Sequence, residues 1–474
     1  MSEFAPLVKE LSPAPDVEAA FLRLSRQPHC VFFDSSLRQA KLGRYSFLAA
    51  DPPLPAWTEA NSRAGIDVFQ ALGSWLTQDS WFKSETVPGL PPFQGGAVLL
   101  LSYDLNRQLE KIPPPRFDEF RLPTWSLAYY DVVLAFDHVQ HRAWLISQGW
   151  PEHAAAPRRQ RAQQRLKQFE TWLTEPLVGF PARRVTSIHR DALASQFPVP
   201  GPAGLTSNFS AEGYQAAVQK CIDYIYAGDI FQVNFAQRLL YPAQDDSAAL
   251  YLRLRNRNPA TFAAYLDLGD AQIVSASPER FLSIRDGMVE ARPIKGTRRR
   301  SHWPEADLFT GDELLESEKD RAENVMIVDL LRNDLSRICD ADSIRVTQLC
   351  GLESYQFVQH LVSVVQGRLS HGKTPLDAIR AAFPGGSITG APKVRAMEIV
   401  AELEPTARGA YCGSLGYIGF DGTMDFNILI RTITAARGWW QIPVGGGIVA
   451  QSNPRHEYEE TWHKAEGMLR SLAE

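Results

Sequence analysis

Apolar residues recur along this chain in two rhythms. In the first third, short apolar runs separated by turn residues predict strands over Cys30–Asp34, Ala97–Tyr103 and Trp125–Phe136. Over Arg158–Leu173 the rhythm becomes helical but polar and charged side chains dominate, which predicts a helix lying on the surface. From Glu175 to Ser210 the composition turns to Pro, Gly and Ser, including Phe197-Pro198-Val199-Pro200-Gly201-Pro202, and reads as a linker. Beyond it, Tyr214, Ala217, Val218, Cys221, Ile222 and Ile225 repeat at helical spacing, with Ser210 as N-cap and Gly228 as the C-terminal stop. A strand follows over 230–240. Phe231, Val233 and Phe235 share one face, while Gln232 and Asn234 turn amides towards something polar on the other. Strands and helices then mix to the end of the chain, with no fixed-period repeat and no low-complexity segment. Irregular order of this kind predicts an α+β fold rather than a doubly wound one.

Length sharpens the picture. A chain of 474 residues is too long for one simple core. The expected division is an N-terminal lobe over 1–175, a linker over 176–206 and a second lobe over 207–474. A net charge of −5 gives no global attraction to nucleic acid or an acidic membrane, so an anionic substrate must be captured by local positive groups. Five cysteines, an odd number without zinc-site spacing, fit a reduced cytoplasmic compartment. The first fifteen residues lack the apolar stretch of a signal peptide, and no apolar run is long enough to span a bilayer.

Four constellations could carry chemistry. Lys295, in Ala291-Arg292-Pro293-Ile294-Lys295-Gly296-Thr297, lies between a strand-like run and a turn. It is either a solvated turn lysine or an amine turned into a cavity, where desolvation or nearby positive charge could free it as a nucleophile. The following Arg298-Arg299-Arg300 run reads first as a solvated loop. Phe383-Pro384-Gly385-Gly386-Ser387-Ile388-Thr389-Gly390-Ala391-Pro392-Lys393 is a Gly-rich loop entering a helix, either a cap or an anion site. It is not a Walker loop, because no Gly-Lys-Ser/Thr ends it. Glu316, Asp320 and Glu323 fall on one face of a helix running towards Arg332, and Glu457, Glu460 and Lys464 on one face of the last helix. Such faces are commonly just solvated, but magnesium prefers oxygen ligands and needs only one or two carboxylates per helix. Gly445-Gly446-Gly447, after Trp439–Val444, marks either a turn or a close approach by a ligand or backbone.

Taken in order, Ser277-Pro278-Glu279-Arg280-Phe281, Pro293-Ile294-Lys295-Gly296-Thr297, Asp320-Arg321-Ala322-Glu323-Asn324, Val328-Asp329-Leu330-Leu331-Arg332-Asn333-Asp334, Gly386-Ser387-Ile388-Thr389-Gly390-Ala391-Pro392-Lys393 and Glu457-Tyr458-Glu459-Glu460-Thr461 resemble the chorismate-utilising enzymes. That family includes anthranilate synthase component I, aminodeoxychorismate synthase component I and the isochorismate and salicylate synthases. The match runs from about Ser207 to the end, and less sharply through the N-terminal part. It implies a two-lobed α+β fold, with antiparallel sheets packed as a sandwich and helices outside.

The resemblance also implies roles. Lysine at position 295, where anthranilate synthases typically carry alanine, and Gln232, where isochorismate-type enzymes carry a water-activating lysine, both point to the aminodeoxychorismate-forming branch. Lys295 is similar to the nucleophile and Glu279 to the general acid, with His360 near the reacting C4 group. Glu323 and Glu460 are similar to ligands of Mg2+, with Glu457 close by. Gly296, Thr297, Ser387, Tyr411, Arg431, Gly445, Gly447, Lys464 and Gln232 fall on positions that surround chorismate. Arg431 suits a carboxylate because its fork can bind two oxygens at once. Ser35, Thr261 and Phe262 lie where some members hold a tryptophan-type ligand, but Thr261-Phe262-Ala263 departs from their Pro-Tyr-Met. No cysteine has a glutaminase context, so the implied amino donor is free ammonia or ammonia from a separate glutamine amidotransferase subunit.

Overall fold

The computed structural model describes residues 5–38, 42–58, 68–77, 85–177, 186–300, 303–354 and 358–473. The architecture is α+β. The described residues form a 13-stranded and a 10-stranded sheet, and the ladders joining their strands are antiparallel. The sheets face each other across an apolar layer to which Val31, Phe47 and Ile273 come from the larger and Val98, Leu415 and Tyr417 from the smaller. Helices cover the outer surfaces, with Phe21, Phe169, Leu250 and Met468 in the layer outside the larger sheet. This layering matches the predicted class.

Both sheets draw strands from either side of 176–206. In the larger, the strand Val31–Asp34 pairs with Ala263–Asp267; in the smaller, Gly96–Leu101 pairs with Ser414–Gly419. Within the predicted linker, Phe197–Pro198 and Thr206–Ser207 pair with each other, and the latter extends the larger sheet against Gln232–Pro242. Residues 178–185 lie outside the described part.

Three expected elements differ in detail. The apolar run Trp125–Phe136 is two strands, Trp125–Tyr130 in the smaller sheet and Val132–Asp137 in the larger. The crossing falls at Asp131, fully buried and paired with Arg165 at 3.1 Å. The helix Ala155–Thr174 is not simply a surface helix. Arg158, Ala162, Arg165 and Phe169 form a buried stripe, and Arg165 reaches Asp51 at 2.7 Å as well as Asp131. Its inward arginines are matched by acceptors that hydropathy does not register. The single acidic helix expected to carry Glu316, Asp320 and Glu323 is broken at Ser317. Pro304–Glu316 ends there and Glu318–Ser336 begins, with the Ser317 hydroxyl capping the second helix at the Asp320 N–H (3.3 Å). Glu316 is left exposed on the first helix.

The helix Ala211–Tyr226 forms as predicted. Ser210 Oγ accepts the Gly213 N–H at 3.0 Å, a cap of about 1 kcal/mol. The next strand, Gln232–Pro242, is buried over its first nine residues on both faces, because sheet partners and helices cover both sides. Phe231, expected on its apolar face, sits just outside and is 71% exposed. All five cysteines are buried and free, and no helix among the described residues is long and apolar enough to cross a membrane.

Candidate active site

Lys295 lies on the strand Ile294–Arg299, opposite Leu361 of Val358–Arg368. The register slips between Lys295 and Thr297, at Gly296, whose φ is +71°. A side chain there would strike Leu314 (2.7 Å) and Asp320 (2.9 Å), so the bulge requires glycine. Lys295 is 13% exposed. Its Nζ donates to the Ser387 carbonyl at 3.2 Å and lies 3.9 Å from Glu323 Oε2. The Thr297 side chain lies outside the described part; its backbone pairs with His360.

Glu279 precedes the strand Arg280–Arg285 and is 5% exposed. Burial raises its carboxyl above the ordinary range, against the Ser387 hydroxyl, Lys295, the Ile294 N–H and Arg431. Its Oε1 is buried with no hydrogen-bond partner. An unsatisfied buried acceptor costs about 1–3 kcal/mol. Arg431 holds a left-handed φ of +50°, uncommon outside glycine, and burial lowers its guanidinium from the ordinary value while Glu279 opposes the shift. Burial, then Arg431, push His360 down to about 4, so it is a neutral imidazole at pH 7; a hydrogen bond with the Gly296 backbone opposes them.

Gln232 is buried, and its Oε1 also lacks a partner. Gly447 makes room for it, since a Cβ there would lie 2.2 Å from Gln232 Nε2. Gly445 gives its carbonyl to Lys464 Nζ at 2.9 Å. Tyr411 is buried, with the Arg408 guanidinium 5.8 Å from its ring centroid.

Two helices bring the carboxylates. Glu323 comes from Glu318–Ser336, and Glu457 and Glu460 from Pro454–Arg470. Each helix is pinned beside its glutamate. Asn324 donates to the Leu361 carbonyl at 3.3 Å, and Thr461 accepts from Gln237 at 2.7 Å. Burial raises Glu323 against Lys295 and Lys319. Burial raises Glu457 too, although Ser452 donates to its Oε1 at 2.6 Å, and Glu460 adds to the rise. Burial pulls Glu460 upward, but Lys464, 2.6 Å away, together with Lys319 and Lys295, outweighs it and holds the carboxyl below the ordinary value.

Among the described residues, no group of three or more His, Cys, Asp or Glu could by itself hold a metal ion. Magnesium does not require one: it keeps several waters and takes one or two carboxylates. Glu323 and Glu460, acting on each other from separate helices, supply oxygen donors of that kind.

The structure thus joins Lys295, Glu279, Ser387 and Glu323, with His360, Gly296 and Arg431 beside them. Gln232 with Gly447 and Gly445 with Lys464 border the Glu457–Glu460 helix. Ser35 lies apart from this group: its Oγ donates to the Tyr45 carbonyl (2.7 Å) and the Thr261 carbonyl (3.4 Å), while Thr261 Oγ1 reaches the Pro278 carbonyl beside Glu279 at 3.3 Å. The Phe262 ring lies against the Arg280 guanidinium at 4.9 Å.

Sequence reasoning gave no individual role to three residues. A Cβ on Gly446 would lie 3.3 Å from Lys464 Nζ and 3.4 Å from Glu457 Oε2; strand alternation sets it on the opposite face from Gly445 and Gly447. Lys319 acts on Glu323, Glu457 and Glu460, and its spacing of one turn before Glu323 was the available signal. Arg408, paired with Glu404 at 2.6 Å, donates to the carbonyls of Asn234 (2.6 Å) and Ile388 (3.4 Å), tying the Gln232 strand to the Ser387 loop. Nothing local marks that long-range role.

Comparison with known proteins bears on this cleft. The family model described as chorismate binding enzyme matches residues 54–470. The chain is 43% identical over 463 residues to anthranilate synthase component 1 of Thermus thermophilus, covering 96% of this chain and 94% of that protein. It is 39% identical over 463 residues to aminodeoxychorismate synthase component 1 of Bacillus subtilis, covering 95% and 93%. The solved anthranilate synthase component I from Streptococcus pneumoniae superposes with a TM-score of 0.75 at 30% identity, over 90% of this chain and 92% of that one.

Proposed function

The chain belongs to the chorismate-binding enzymes, and from that premise we propose that it converts chorismate and ammonia to 4-amino-4-deoxychorismate. The observation that carries this reading is the Lys295 amine, sheltered between the Ser387 loop beside Glu279 and the Glu323 carboxylate.

The chemistry follows from these groups. The Lys295 nitrogen attacks C2 of the ring through its lone pair as the C4–O bond breaks, and Glu279 gives its proton to the departing hydroxyl, which leaves as water. Ammonia then attacks C4, the ring double bonds shift back, and the C2–N bond breaks to return Lys295 as a free amine. The new C4 ammonium gives its proton to the Glu279 carboxylate, restoring the acid. Net, hydroxyl is exchanged for amine and the enolpyruvyl group is kept. Arg431 suits the enolpyruvyl carboxylate, while Gly296, Ser387, Gly445 and Gly447 offer backbone groups near the ring. Neutral His360 lines the C4 side. Gln232 carries no amine with which to activate water. Glu323 and Glu460 would hold magnesium, with Glu457 adjacent; when bound, the ion would grip the ring carboxylate and draw electron density from the ring. The amino donor is ammonia, supplied by a separate glutamine amidotransferase subunit, in a cytoplasmic setting.

The anthranilate reaction is the second reading, favoured by the comparable identity to anthranilate synthase component 1. Incubation of the pure chain with chorismate, magnesium and ammonium, with products identified by mass, decides between them. An amino product that retains its enolpyruvyl group supports the proposal; anthranilate with released pyruvate replaces it.

A further inference from the structure

We infer that Phe262 and Arg280 are positioning residues for Glu279, bracing the backbone that carries the acid. The inference rests on the acid role given to Glu279 above.

The acid's backbone is held from two directions. On one side, Ser277 Oγ accepts the Glu279 N–H at 3.2 Å and donates to the Ile428 carbonyl at 2.5 Å, while the Ile428 N–H donates to the Glu279 carbonyl at 3.0 Å. On the other, the Phe262 N–H donates to the Ser277 carbonyl at 3.1 Å, and Thr261 Oγ1 to the Pro278 carbonyl at 3.3 Å. Asn427 Nδ2, from the strand that pairs with Arg280, donates to the Phe262 carbonyl at 2.9 Å. The two braces therefore close into one ring of contacts around residues 277–280.

Arg280 locks that ring. Its Nε and Nη2 donate to the two Asp425 oxygens at 2.9 and 2.8 Å, and its Nη1 to Glu290 at 3.1 Å. Two carboxylates thus compensate the charge. The guanidinium also lies over the Phe262 ring, 4.9 Å from its centroid. Arg280 follows Glu279 directly, so its ion network fixes the backbone immediately after the acid.

The need for a brace comes from Glu279 itself. Its Oε1 is buried without a partner. A carboxyl with an unmet acceptor gains by moving towards any donor, or towards water, and a fixed backbone limits how far it can be carried. The bracing groups hold the backbone of residues 277–280, so their effect on chemistry acts through Glu279.

Steady-state kinetics at saturating ammonium and magnesium, following chorismate consumption, test the inference with Phe262→Leu and Phe262→Tyr. Leucine keeps apolar bulk and removes the aromatic face, whereas tyrosine keeps the face. Phe262→Leu is expected to lower kcat by roughly 3- to 10-fold with chorismate KM unchanged, and Phe262→Tyr to stay within about twofold of the parent. If Phe262→Leu does not fold, Phe262→Met is read in the same way. An unchanged kcat in the aliphatic variant, an equal loss in the tyrosine variant, or a loss carried by KM overturns the inference. So does a fall in folded fraction large enough to account for the whole loss. A parent chain that consumes chorismate without forming the amino product refutes the proposed function; the kinetics of the two variants then still judge the brace.

Discussion

Two buried clusters in this molecule are built from the same ingredients and do opposite things with them. Under the N-terminal strands, Asp34 accepts from Ser46 (3.0 Å) through one oxygen and from Tyr251 (3.1 Å) and Arg255 (2.7 Å) through the other. Arg255 continues to Glu18 at 2.5 Å, and Ser46 to His138 at 2.7 Å. In the cleft, Glu279 and Gln232 are as deeply buried, yet each keeps an oxygen without a partner. Even the histidines match, since burial pushes both His138 and His360 down to about 4. Burial and charge alone do not separate a working site from an internal strut. These two clusters differ in that both Asp34 oxygens are filled, whereas Glu279 and Gln232 each keep one open.

That contrast breaks if Lys295→Ala still forms the amino product. The expected result is loss of that product by mass analysis, the largest effect anywhere in the chain. Glu279→Gln comes next, with kcat reduced on the order of 10²–10⁴-fold. It also carries a stability signature. Burial raises the folded-state pKa of Glu279, so its protonated form stabilises the fold below the ordinary value of 4.5, and that contribution is lost as pH rises through the raised value. Glu279→Gln should therefore be more heat-stable than the parent at neutral pH and lose that advantage in acid, as read by melting curves across pH.

Asp34→Ala should show the reverse profile. Breaking a buried pair costs about 3–5 kcal/mol, measurable by urea unfolding, while turnover per folded molecule stays unchanged. A fall in kcat beyond the folded fraction would erase the distinction between the clusters. Glu460→Ala should move the magnesium titration of activity to higher concentrations, and an unchanged curve would remove it from the ligand set. The smallest effect belongs to His138. Its folded pKa is lowered by burial from 6.5 to about 4, so its contribution to stability is complete above 6.5 and lost as pH falls through about 4. His138→Gln should flatten the acid limb of the stability curve and leave the rest of it in place.

The sequence was most legible where neighbours along the chain decide the structure. Ser210 and Gly228 bound their helix because capping is local, and Gly296 sits at a bulge that demands it. The lysine, the Gly-rich loop and the glutamate helices could be singled out for the same reason. It was least legible where the deciding partner is distant. No apolar rhythm shows that Asp131 ends one sheet and begins the other, because the arginine that makes this tolerable lies 34 residues away. Arg158 and Arg165 read as solvent-facing for the same reason. Arg408 joins carbonyls at Asn234 and Ile388 that only the folded sheet brings together.

The seams between early and late strands have a practical consequence. Among the described residues, the first part of the chain supplies one end of each sheet, and the two ends join the remainder along two ladders, Val31–Asp34 with Ala263–Asp267 and Gly96–Leu101 with Ser414–Gly419. Severing the polypeptide there would bare two rows of unsatisfied amides and carbonyls at once. The strands 263–267 and 414–419 are buried throughout, with no charged gatekeeper but Asp267. Freed edges of that kind recruit other molecules. A shortened version of this enzyme is therefore expected to be lost to aggregation before its chemistry can be assayed.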